Sequence, residues 1–194
     1  MNLVERAKKI LLNPKEEWAV IDQEDTDIGQ LVTTYLIPLA LIPAIASLIG
    51  YGFIGAGFFG ASLSWGIKQA VISFVTTVLG AYLAAFIINT LATSFGSQGD
   101  FRKAMQLVVY SYTPMMVAGI VLILPALGII SFLAGIYGLY ILYLGLKPLM
   151  KTPDDKVTGY FIVSLLVIVV VYVVIGAIMA SILITRGIGM SIPH

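Results

Sequence analysis

The stretch FIVSLLVIVVVYVVIGAIMA, residues 161–180, decides the fold. Fourteen of its twenty residues are Leu, Ile, Val or Phe; each favours the centre of an inserting helix by about 0.3 to 0.6 kcal/mol, roughly 4 to 8 kcal/mol in sum. Its β-branched residues would suit a strand in water, but a lone strand leaves its backbone N–H and C=O groups unsatisfied in lipid. Residues 160–184 are therefore read as a membrane-spanning helix.

The rest of the chain reads the same way. Of its 194 residues 59% are hydrophobic and only 11% charged, against about 25% charged in soluble domains. The charges cluster and leave four uncharged stretches, 28–67, 69–99, 104–146 and 157–185, each longer than the ~20 residues that cross hydrocarbon. A break at Pro125 to Gly128 divides the third into two. The spacing predicts spans at about 31–48, 69–91, 104–124, 127–146 and 160–184. Pro38 and Pro43 are expected to kink the first. The glycines and aromatics of residues 50–66 read as a loop on the outer surface, because each glycine weakens a helix by about 1 kcal/mol relative to alanine.

Ahead of the spans, Leu3, Val4, Ala7, Ile10 and Leu11 recur at helical spacing opposite Glu5, Arg6, Lys8 and Lys9, which predicts a short amphipathic helix on the membrane surface. Asn13 and Pro14 stop it and start another turn, with Asn13 as cap. Trp18 is expected at headgroup depth. An acidic linker, residues 22–27, follows, and no cleavable signal peptide is read because this leading segment is polar. The fold class is thus an all-α membrane protein, a five-helix transmembrane bundle with a short N-terminal amphipathic helix. Its parts are a cytoplasmic segment 1–27, a transmembrane domain 28–186 and a short external tail 187–194.

Charge sets the orientation. With the N-terminus inside, five spans place Arg6, Lys8, Lys9, Lys15, Arg102, Lys103, Lys147, Lys151 and Lys156 in the cytoplasm and only Lys68 and Arg186 outside, nine against two. Making residues 50–66 a sixth helix would move the five bases from Arg102 to Lys156 outside and lose that bias. A cell-membrane protein with its N-terminus cytoplasmic and its C-terminus outside is expected.

No Asp, Glu, Lys, Arg or His falls inside a predicted hydrocarbon core, which counts against pumps and proton-coupled transport. With no cysteine, thiolate metal sites and cysteine nucleophiles are excluded, and with His194 the sole histidine no base or metal ligand is available at depth for intramembrane hydrolysis, so no enzyme activity is expected. No catalytic residue, cofactor or metal is assigned, and a net charge of +1 points to no nucleic acid. The most pointed intramembrane feature is Tyr110-Ser111-Tyr112-Thr113-Pro114, where Pro114 should kink the third helix and open a hinge or binding notch. Asn89 and Thr90 could line a polar path or bind neighbouring helices together. Lys147, Lys151, Lys156 and Trp18 are candidates for contact with lipid headgroups or a partner. Small residues share one face at Thr76, Gly80 and Ala84, and again at Ser131, Gly135, Gly138 and Gly145, marking seams for close helix packing.

Phe95-Gly96 with the run 101–119, and Gly138-Leu139-Tyr140-Ile141-Leu142-Tyr143-Leu144-Gly145-Leu146 leading into 147–156, resemble the Yip family. The resemblance covers roughly 13–182 and implies a cytoplasmic N-terminus followed by a five-helix bundle. Eukaryotic members are named for interacting with Ypt/Rab GTPases and act in vesicle traffic. Where they carry an aspartate followed by a glycine–proline pair, this chain reads Asp27-Ile28-Gly29-Gln30, without the proline, and its leading segment is short. GTPase binding is therefore not carried over, and the chain resembles a short bacterial branch. The expected function is a non-catalytic membrane protein that organises lipids or a partner protein at its cytoplasmic loops. The alternative is a passive channel or transporter for a small solute or lipid.

Overall fold

The computed structural model describes residues 2–55 and 60–188; in the last helix, side chains are described at 157–171, 173 and 174. Among the described residues the elements are all helical, with no strand. Two short helices, α1 (Leu3–Leu12) and α2 (Pro14–Asp22), lead into α3 (Ile28–Ile54) and α4 (Leu63–Phe95). The third crossing, Phe101–Ile123, is built from α5 (Phe101–Ser111), α6 (Thr113–Ala118) and a 3₁₀ turn. α7 (Pro125–Met150) and α8 (Val157–Ile188) complete the chain.

Four helical runs, α3, α4, the α5–α6 crossing and α7, are long and apolar enough to cross a membrane. In α8 the apolar stretch with described side chains is Val157–Val171, shorter than a crossing. The side chains of the later part of the expected span 160–184, with Arg186, lie outside the described residues, as does all of the expected tail from 189 onward.

The helices overrun the spans expected from composition. The first begins at Ile28 and continues to Ile54, and the second begins at Leu63. Much of the expected outer loop 50–66 is therefore helix: Gly50–Ile54 is a π-helical turn and Leu63 to Gly66 open α4. The reason lies in packing. A Cβ on Gly66 would stand 2.6 Å from Cα of Gly52, so the two backbones touch where any side chain would hold them apart. In lipid such contact stabilises more than the propensity of a bulkier residue would. Glycine here is a packing device, not a breaker. Near Pro38, a π-helical stretch at Val32–Leu36 takes up the disturbed ladder.

The loops sort by end. At one end, Lys103 Nζ donates to the carbonyls of Ile21 (3.3 Å), Asp22 (2.7 Å) and Glu24 (3.2 Å), closing the C-terminus of α2 with a cation, where the helix dipole favours one. Gln98 N–H donates to the Met150 carbonyl at 2.8 Å, and Ser97 Oγ bonds Thr152 Oγ1 at 2.9 Å. The segments 22–27, 96–103 and 150–156 thus meet, and this is the charged end. At the opposite end, Gly50 packs under the carbonyls of Leu122 and Ile123. Between the ends, α5 is the central helix, with residues 104–111 all buried. It packs on α4 and α7, while α2 lies against α7. Exposed apolar side chains such as Val71, Leu79, Phe132, Ile136, Leu166 and Val170 form the belt that faces lipid.

Candidate functional site

Asp100 starts α5 as its cap, its carboxylate accepting from Arg102 N–H at 2.8 Å. Fourteen residues on, Pro114 has no N–H for the Tyr110 carbonyl, and the helix breaks at Tyr112 before resuming as α6. This break gives the Tyr110 to Pro114 element two working faces.

One face is polar. Tyr110 lies edge-on to Tyr35, ring centres 4.8 Å apart, and edge-on to Trp18 at 6.3 Å. Arg6 stacks over the Tyr110 ring at 5.5 Å. The Arg6 guanidinium donates to Glu17 at 2.5 Å and also to Glu24. The side chains of Arg6 and Glu17 are each only 5% exposed, so this pair sits inside the fold. Burial alone would lower the pKa of Arg6, but the hydrogen bond to Glu24 and the nearby Tyr110, Glu24 and Glu17 outweigh it and hold the group above its ordinary value. The residue stays charged. Beside it, Tyr35 and Thr113 share a buried hydroxyl pair at 2.9 Å. Arg6, Glu24, Asp25, Gln30, Tyr35 and Tyr110 line a polar cavity of about 400 Å³.

The other face is apolar. Ser111, Tyr112 and Met115 look onto α7 and α8 and wall a groove of about 600 Å³ with Phe132, Gly135 and Val169. α7 comes so close that a Cβ on Gly138 would stand 2.5 Å from the Ser111 carbonyl, and Ser131 Oγ donates to the Ala118 carbonyl at 3.1 Å. The glycine seam on α7 therefore packs on the α5–α6 break. Ser111 is 2% exposed, and its hydroxyl has no hydrogen-bond partner.

The remaining candidates scatter. Asn89 sits apart, beside Gly99 at the charged end, with a buried and unpartnered Oδ1. Trp18, expected among headgroups, is instead fully enclosed: its Nε1 donates to the Ile141 carbonyl at 3.0 Å and its indole fills the space left by Gly145. A turn-rich N-terminus folded back onto α7 puts it there. Lys147 pairs with Asp154 and Lys151 with Asp22, both at 2.5 Å, while Lys156 lies over Gly96. Asn13 stands at the start of α2, but its side chain makes no capping bond. Sequence reasoning missed Arg6, Glu17, Glu24 and Tyr35, because their partners lie 11 to 78 positions away and only the fold brings them together. It also missed Gln106, which is 1% exposed with both amide atoms unpartnered. Among the described residues no cluster of three His, Cys, Asp or Glu is placed to hold a metal ion.

A family model described as Yip1 domain matches residues 8–178. The chain belongs to the Yip1 domain family. The match takes in α2 to α7, with half of α1 and much of α8, and so both faces of the break. Inner membrane protein YohC of Escherichia coli K12 is 26% identical over 152 residues, covering 74% of this chain and 78% of that protein. YohC of Escherichia coli O6:H1 matches equally. No solved structure matches. With the long apolar helices, these findings make the chain a multipass membrane protein of the Yip family.

Proposed function

We propose that this Yip-family chain is a non-catalytic organiser of the membrane, a five-span bundle that holds lipids or a partner protein and carries no substrate through itself. The charged end faces the cytoplasm with α1 and α2 docked on it, the C-terminus lies outside, and α1, whose expected apolar stripe turns Ala7 and Ile10 into the bundle instead of to lipid, offers Val4 and Leu12 to the membrane surface. The inner-membrane location of YohC supports a cell-membrane setting.

One observation carries this reading. The larger cavity beside the Tyr110 to Pro114 break is a mainly apolar groove walled by Met115, Phe132 and Leu139, with no Asp, Glu, Lys, Arg or His in its lining, which suits hydrocarbon and not a hydrated solute. The passive-conduit reading draws on the unpartnered polar atoms of Asn89, Gln106 and Ser111. Reconstitution into liposomes separates the two. The organiser leaves small-solute flux at the level of empty vesicles; flux above that level that disappears with Asn89→Leu supports the conduit instead.

A further inference from the structure

We propose that the groove beside the α5–α6 break holds one acyl chain of a diacyl phospholipid, and that Ser111 donates its hydroxyl to the ester carbonyl at the head of that chain. The inference deepens the organiser reading and rests on it. It names what one part of the bundle holds.

Three observations converge. The groove is roomy, about 600 Å³, and lined mainly by apolar side chains such as Phe132, Ile136 and Val169, with Thr76, Thr77 and Tyr112 beside Ser111; its apolar part has the chemistry of an acyl chain. It is edged by Phe132 and Ile136 of α7 and Val169 of α8, which are 65%, 51% and 49% exposed and belong to the belt facing lipid. The bilayer's own hydrocarbon is thus its immediate neighbour. Ser111 supplies the polar contact. It lines the groove one residue from Tyr110, whose ring carries the Arg6 guanidinium, so the polar N-terminal hairpin lies close by. Its hydroxyl, unlike those of Thr76, Thr77 and Thr90, which bond backbone carbonyls of their own helix, finds no protein acceptor. A buried hydroxyl without an acceptor costs free energy that a lipid carbonyl would recover. Gly135 keeps the groove open: a Cβ there would meet only Met115 Sδ at 3.9 Å, so the backbone tolerates a side chain that would grow into the space.

The test uses the whole chain in vesicles containing a phosphatidylethanolamine with a photoactivatable diazirine midway along one acyl chain. Labelling should concentrate on α6 and α7 and fall about tenfold in Gly135→Leu, with Gly135→Ala near wild type. An ester phospholipid should compete with the probe about threefold better than its ether twin, and Ser111→Ala should bring the two to parity. Labelling spread evenly over the exposed faces of α4, α7 and α8, unchanged by Gly135→Leu and blind to ester against ether, would overturn the proposal and leave annular lipid only. Labelling absent from the groove, with Gly135→Cys giving a disulfide-linked dimer, would overturn it in favour of a second copy. Solute flux tests the organiser reading separately, so either can fail while the other stands.

Discussion

The two ends of the bundle are fastened by different means. At the charged end, fastening is done by long side chains: Arg6 between Glu17 and Glu24, Lys103 across three carbonyls, Lys151 on Asp22, Trp18 on Ile141. At the opposite end it is done by missing side chains, as Gly50 tucks under Leu122 and Ile123, Gly66 touches Gly52, and Gly119 meets Pro43. Composition explains the contrast. The charged end is supplied with Arg, Lys, Asp and Glu that can pair, whereas residues 28–67 and 104–146 carry no charge, so close backbone approach between apolar helices does the fastening there. The charged end is thus specified by pairs distant in sequence, the other by glycine placement.

Substitutions should break this comparison or sharpen it, in falling order of effect. Arg6→Ala leaves Glu17 buried without its cation and should cost about 3–5 kcal/mol in chemical unfolding in mixed micelles. A loss under about 1 kcal/mol would mean that the N-terminal hairpin does not dock as described. At the other end, Gly66→Val drives a branched side chain into Gly52 and should cost about 1–3 kcal/mol in the same assay. A neutral result would return residues 50–66 to a loosely packed loop. Trp18→Phe drops the bond to the Ile141 carbonyl and leaves part of the indole's space beside Gly145 empty, and should cost about 1–3 kcal/mol. Lys147→Ala removes a pair whose side chains are 61% and 77% exposed, and should change stability by no more than about 0.5 kcal/mol. If Lys147 mattered as much as Arg6, burial would not be what separates the two kinds of charge.

How much of this was legible in the sequence follows from the range of each interaction. Membrane helices announce themselves by length and apolarity, which are local sums, so four helices long and apolar enough to cross a membrane stand in the uncharged stretches. Pro114 breaks the third crossing because the effect acts within one turn. The α7 seam was readable from spacing alone, since Gly138 and Gly145 share a helical face whatever they meet. Arg6 was not. In sequence it belongs to the polar side of an amphipathic helix, and only the turn at Asn13 carries Glu17 and Glu24 back to it. Trp18 failed likewise: an aromatic near a first span suggests the interface, and nothing local says that Gly145, 127 positions away, leaves room for it. The two ends of the expected loop, Gly50–Ile54 and Leu63 to Gly66, were misread because helix propensity was weighed without the contact that overrides it.

The same limit applied at the candidate site. The Tyr110 to Pro114 element was visible as a kink, but its division into a polar face bearing Tyr110 and Thr113 and an apolar face bearing Ser111 and Tyr112 depends on which helices flank it.

The proposed topology puts the segments 22–27, 96–103 and 150–156 together on the cytoplasmic side of the membrane. The chain has no cysteine, so single-cysteine variants report cleanly. Gln98→Cys at the charged end and Ser62→Cys at the other, both exposed, can be treated in intact cells with a membrane-impermeant maleimide. The account expects label on Ser62→Cys at once and on Gln98→Cys only after permeabilisation. Label on Gln98→Cys in intact cells, or on neither end until the cells are opened, would contradict it.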